Sequence, residues 1–177
     1  MDLKNTYFTT LAINNFVPVF EDYPECIDIV LDSFNNLTER KICTIYAFVI
    51  MRDHIHLVWE VHSNKDINDI ITSFKKYTGR LISNYLRDLN EEYHNLFMSE
   101  RQDRSFKIWK LTKGNIVIHS KDMLNVKIEY VHNNPTVGDY KTVDDSTKYT
   151  YSSALAYSRQ SSNFRFLTII HGIGTWS

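Results

Sequence analysis

Two runs rich in β-branched and aromatic residues, Lys41 to Met51 and His54 to Val61, are parted only by Arg52-Asp53. Such composition favours strands, and so short a separation joins them as an antiparallel hairpin, although Arg-Asp is not a favoured tight-turn pair. The second run carries two histidines around one isoleucine. Successive strand side chains alternate between faces, so His54 and His56 point one way while Ile55 and Leu57 point the other. At roughly 7 Å between Cα atoms the two rings converge. Neutral imidazoles so placed can grip one metal ion. They can equally occupy the polar face of a half-exposed strand, and spacing alone does not decide between the two.

The hairpin sits in an ordered series of elements. "YFTTLAI" from Tyr7 to Ile13 has strand composition, and Pro24 suits the first turn of a helix with apolar residues at Ile27, Val30, Leu31, Phe34 and Leu37. After the hairpin, the set Ile67, Ile70, Ile71, Phe74, Leu81, Ile82, Tyr85 and Leu89 keeps a helical period from Asp66 to Leu89. "FKIWKL" and "NIVIHS" supply more strand, either one bent strand or a hairpin interrupted at Lys113-Gly114. A helix capped by Ser120 then runs until Pro135 stops it, because proline disfavours helical geometry in the residue before it. The order β-α-β-β-α-β matches a ferredoxin-like α+β fold, an antiparallel sheet with two helices on one side, followed by an additional C-terminal helix that bears Tyr130. A loop from Thr136 to Lys148, a short helix near Tyr149 to Arg159 and the apolar run "FRFLTII" finish the chain. Residues 1–177 are expected to form one domain, with a core at about 7–157 and an extension at 158–177.

The totals narrow the function. Ordinary apolar content, 43%, argues against disorder, and the apolar runs are far shorter than the ~20 residues of a membrane span. With no signal-peptide pattern after Met1, a soluble cytoplasmic protein is expected. Cys26 and Cys43 have no metal or redox spacing and read as reduced core thiols. A net charge of −1 argues against a protein that coats itself with nucleic acid, yet residues 1–40 carry −5 and residues 41–177 carry +4. A polyanion site therefore belongs to the later part. There Arg101, Arg104, Lys107, Lys110 and Lys113 recur with Phe106 and Trp109 between them, so that bases can stack while cations take phosphates. Lys75, Lys76 and Arg80 on the long helix form a second strip. Each strip also reads as an ordinary solvated face or edge.

The segments "RDHIHLVWEV", "FKKYTGRLISNYL", "IWKLTKGN", "YVHNNPTVGDY" and "YSSALAY", in that order, resemble the IS200-like single-tyrosine (Y1, HUH) transposases, most closely the REP-associated tyrosine transposases. The resemblance spans roughly Tyr7 to Tyr157. Arg52-Asp53 departs from it, standing where the family usually has Pro-Asn.

The resemblance implies a nuclease and strand transferase that cuts single-stranded, hairpin-bearing DNA and leaves a 5′-phosphotyrosine link with a free 3′ hydroxyl. It maps His54 and His56 onto the metal-binding histidines, Tyr130 onto the nucleophile, and Asn134 onto a third metal ligand that many relatives supply as glutamine. Mixed nitrogen and oxygen ligation fits Mg²⁺, with Mn²⁺ able to substitute, although imidazole pairs also accept Zn²⁺; the resemblance implies a homodimer, leaving open whether Tyr130 serves its own metal site or that of a partner. Residue chemistry is compatible: a phenol with pKa near 10 needs a metal or base to attack, and on a helix Asn134 shares the face of Tyr130. Among eleven tyrosines, however, the residues alone do not select Tyr130 over Tyr77, Tyr85 or Tyr140. Isolated His119 and His132 are left outside the site. No Gly-rich phosphate loop is present, in accord with a chemistry that needs no nucleotide cofactor. Two other functions fit the same residues: a hairpin-DNA binding module without chemistry, and a metallohydrolase that uses the His-x-His pair and water.

Overall fold

The computed structural model describes residues 3–62, 66–99, 106–111 and 115–172. Strand β1 (Thr6–Ala12) leads through a short helix α1 (Val19–Asp22) into α2 (Glu25–Glu39), then β2 (Cys43–Ile50) and β3 (His54–Val61). Helices α3 (Ile67–Leu89) and α4 (Glu91–Asn95) follow, then a two-residue β4 (Ile116–Val117), α5 (Lys121–Asn133) and α6 (Ala154–Arg159). The sheet is antiparallel with order β2-β3-β1-β4, the strand order of the ferredoxin-like arrangement.

Alternation sorts the strand residues onto two cores. Leu11, Ile55, Leu57 and Trp59 face α2 and α3, whose buried faces include Val30, Phe34, Ile70, Phe74 and Ile82. Phe8 and Val58 face the other way, toward Leu124, Ile128 and Val131 of α5. A bulge in β2 between Ile45 and Ala47 shifts its phase. Ile45 before it and Phe48 and Ile50 after it therefore meet one core, while Tyr46, Ala47, Val49 and Met51 meet the other. Both faces of the sheet are covered, α5 lying opposite the α2/α3 pair.

The Arg52-Asp53 link holds because neighbouring chain ties it down. The Phe20 N–H donates to the Arg52 carbonyl at 3.0 Å and the Ile13 N–H to the Asp53 carbonyl at 2.8 Å. The long helix starts at its expected cap, with Asp66 accepting from Asn68 N at 2.7 Å. Its apolar stripe drifts, however: Leu86 is buried where Leu89, expected on the core side, is 59% exposed.

Of the strand expected over residues 106–120, the described parts, 106–111 and 115–120, are mostly irregular, and Lys113-Gly114 lies outside the described residues. Trp109 bridges Ile13 at one end of β1, and β4 pairs with Tyr7 and Phe8 at the other. Both paired pieces lie on the edge of β1 away from β3. "FRFLTII" forms no strand of its own, but Leu167 makes a parallel bridge to Ile45 along the outer edge of β2. There Phe166 joins Phe34 and Phe48 in the core.

One expected DNA contact is overturned. Trp109 is buried, its indole N–H donating to Thr78 Oγ1 at 2.9 Å. Gly79 gives it room: a Cβ there would come within 3.2 Å of Trp109 Cδ1. An indole that closes the core against α3 cannot stack on a base. Phe106 is likewise engaged, stacked on His94 with ring centroids 3.8 Å apart. Trp109→Ala should cost about 3–5 kcal/mol of stability by guanidinium denaturation, the usual loss for a buried aromatic. An unchanged midpoint would contradict this packing role.

Candidate active site

The α5 face of the sheet carries the two histidines. His54 and His56 are 7% and 5% exposed, with ring centroids 4.8 Å apart. Cross-strand pairing sets their neighbours: Ala12 lies opposite His54 and Thr10 opposite His56. The Thr10 hydroxyl contacts His56 Nδ1 at 2.8 Å, and Asp53 Oδ1 lies 2.6 Å from His54 Nδ1. Both rings therefore engage the protein through Nδ1, leaving Nε2 as the atom each can turn to a ligand.

Helix α5 brings the other two candidates. Ser120 starts it, accepting from Met123 N at 3.1 Å, as its position before the helical run predicts. Tyr130 lies beside His56, ring centroids 5.2 Å apart, and edge-on to Phe8 at 5.6 Å. Asn134 remains in helical geometry at the end of α5, and its Oδ1 is 3.3 Å from His54 Nε2. The match is a matter of pitch: four helical residues rise about 6 Å, while two strand residues span about 7 Å. One turn of α5 thus sets a residue beside each histidine, all within one chain.

The four differ in exposure as their chemistry requires. Asn134 is buried, whereas Tyr130 is 49% exposed, and no described residue hydrogen-bonds its hydroxyl. Burial, then the neighbouring His54 and Lys127, push the His56 pKa down to about 3, so its imidazole is neutral and keeps a lone pair. Among the described residues no group of three or more His, Cys, Asp and Glu side chains is placed to hold a metal ion by itself. Two imidazole nitrogens and one amide oxygen make an incomplete set, suited to an ion that keeps positions for water and substrate.

Sequence reasoning passed over several neighbours. Tyr140 packs edge-on to His54 at 4.7 Å and reaches Asp53 Oδ2 through its hydroxyl at 3.3 Å. Lys127 holds its ammonium 4.7 Å from the Phe8 ring centre and 5.8 Å from that of Tyr130. Its position three residues before Tyr130 on one helix was the available signal. His132 is structural, as an isolated histidine is expected to be: Nε2 contacts Ser153 Oγ at 2.8 Å, and burial lowers its pKa to about 3.

Lys107 and Lys110 of the first basic strip come together with the second strip. A groove of about 540 Å³ between α3 and residues 106–111 is lined by Lys75, Lys76, Arg80, Lys107 and Lys110. Lys75 donates to the Lys110 carbonyl at 2.9 Å, and burial, then Lys107, lower its pKa to about 8. Trp109 lines the groove only as a wall of the core. Arg101, Arg104 and Lys113 lie outside the described residues.

A ferredoxin-like sheet with a histidine pair facing a helical tyrosine defines a class, and sequence comparison gives its family. The IS200-like transposase profile matches residues 11–113, more than half of the 177-residue chain. The protein belongs to the IS200-like transposase family. The match includes both histidines and ends before Tyr130. Among solved structures, the fold is similar to that of a REP-associated tyrosine transposase bound to a REP hairpin, with a TM-score of 0.63 and 13% identity over 94% of this chain and 92% of the other. Comparison with curated proteins gives no match. No helix among the described residues is long and apolar enough to cross a membrane.

Neutral His56 and His132 make stability depend on acid. Their folded pKa values lie below the ordinary 6.5, so the unfolded chain takes up protons that the folded chain refuses. The contribution is fully present above pH about 6.5 and is lost as pH falls toward about 3, at up to about 1.4 kcal/mol per pH unit for each group. Denaturant melts between pH 7 and 4 should show this decline, and His132→Asn should make it shallower.

Proposed function

We propose that this protein is a metal-dependent endonuclease and strand transferase acting on single-stranded, hairpin-bearing DNA, with Tyr130 as nucleophile. The observation that carries the reading is the spatial pairing of Tyr130 with His56 and of Asn134 with His54 across one strand and one helix. His54, His56 and Asn134 would hold Mg²⁺, or Mn²⁺ in its place, which supplies charge neutralisation at the phosphate. The Tyr130 oxygen attacks phosphorus and the bond to the 3′ oxygen breaks. The phenol proton is released to solvent and the departing 3′ oxygen takes one up, so a 5′-phosphotyrosine and a free 3′ hydroxyl result. The new ester retains the energy of the old one, and a second DNA hydroxyl can reverse the step without a nucleotide cofactor. Lys127, drawn over Phe8 and Tyr130, adds positive charge on the side where a phosphate must enter.

The basic groove supports a path for the DNA backbone. Lys110 N donates to the Ala12 carbonyl, and Ala12 is the strand partner of His54, so the groove borders the site around the edge of β1. Lys76, Arg80, Lys107 and Lys110 would take phosphates there. The solved relative whose fold this chain shares is bound to a REP hairpin, which favours a folded DNA element as substrate. Removing two of these cations, in Lys76→Ala with Arg80→Ala, should weaken binding to a DNA hairpin and reduce the slope of log affinity against log salt by up to about 2. An unchanged slope would remove the groove from the DNA path.

Incubation with hairpin-bearing single-stranded DNA and Mn²⁺ should give an adduct stable to SDS that is absent in Tyr130→Phe. An equal adduct yield from that variant would reject the nucleophile. Because Tyr130 packs beside His56 of its own chain, the geometry supports catalysis within one subunit, and any dimer would be built from two complete sites. Mixing Tyr130→Phe with His56→Ala should then restore no cleavage; restored cleavage would mean that the tyrosine serves a partner subunit.

A further inference from the structure

We infer that Asp53 is a positioning residue that fixes the tautomer of His54 and thereby sets the affinity of the site for a divalent cation; the inference rests on the metal-site reading above. Asp53 is 2% exposed, and a carboxylate so deeply buried must be satisfied by hydrogen bonds or charge. One oxygen accepts a hydrogen bond from His54 Nδ1–H at 2.6 Å. The other accepts from the Tyr140 hydroxyl at 3.3 Å and lies 4.0 Å from Arg52 Nε. The Arg52 guanidinium in turn lies over the Tyr140 ring, 5.0 Å from its centre. The backbone of Asp53 is held by the bond from Ile13, so the carboxylate cannot drift with the turn.

The consequence lies in where the His54 proton sits. An ionised carboxylate offers only acceptors, so the contact at Nδ1 requires the proton there. In the neutral ring Nε2 then carries the lone pair and presents it beside Asn134 Oδ1. Without Asp53, the 3.3 Å contact from Nε2 to Asn134 Oδ1 favours the opposite tautomer, in which Nε2 donates a proton to the amide oxygen and cannot bind a metal. Asp53 therefore opposes a competing hydrogen bond within the site, and its negative charge makes the imidazole a stronger donor. His56 has only the neutral hydroxyl of Thr10 at the same place, so the two ligands are tuned differently.

The test uses the full chain without DNA. Nitrogen-15 NMR reports the His54 tautomer in metal-free protein, and electron paramagnetic resonance of free Mn²⁺ reports affinity. Wild type should show the Nδ1–H form. Asp53→Ala should move His54 toward Nε2–H and weaken Mn²⁺ binding about 10–100-fold, the usual cost of losing such an outer partner. Asp53→Asn, which keeps the shape and an acceptor oxygen but not the charge, should fall between them, and melting in EDTA confirms that each variant is folded. Unchanged tautomer and unchanged Mn²⁺ affinity in folded Asp53→Ala would overturn the role of Asp53. Failure of wild type to bind Mn²⁺, or equal binding by His54→Ala, would instead overturn the metal-site reading, which separates the two ideas.

Discussion

The candidate site depends on a coincidence of two repeats. A strand returns to the same face every second residue and a helix every fourth, and the two distances along their axes are nearly equal. Packing α5 against the His54/His56 face therefore places Tyr130 and Asn134 opposite the two histidines without any special loop. The apolar residues Leu124, Ile128 and Val131 hold that register, because a helix shifted by one residue would expose them. The same contacts that bury the second core thus align the candidate groups.

The two faces of the sheet divide the work. The α2/α3 face is a conventional aromatic and aliphatic core, and its side chains have no polar task beyond a few internal bonds such as that from Trp109 to Thr78. The α5 face mixes apolar packing with buried imidazoles, each held at Nδ1 by an oxygen from a neighbouring residue. Burying His56 costs stability in acid, because its ring must stay neutral. The cost accompanies a useful state, since a neutral imidazole is the form that binds a cation.

Much of this was legible from local pattern. The hairpin, the long helix, the Ser120 cap and the shared face of His54 and His56 follow from periodicities of two and 3.6 and from capping chemistry, which involve residues close in sequence. The fates of Trp109 and Leu89 did not, because each is decided by a distant partner. Trp109 resembles a base-stacking residue among lysines until Gly79 and Thr78 receive it. Asp53 and Tyr140 were missed for the same reason: 87 residues separate them, and their only signal is that they meet.

The sequence by itself determined most of the elements, the facing of the histidine pair and, through its resemblance, the family and a candidate nucleophile. Tertiary structure alone decided that Tyr130 stands beside His56 of its own chain, that Lys107 and Lys110 share one groove with Lys75, Lys76 and Arg80, and that Asp53 contacts His54. The reason is physical: local pattern fixes the direction in which a side chain leaves its own element, while its neighbours are set by how elements far apart in the chain pack.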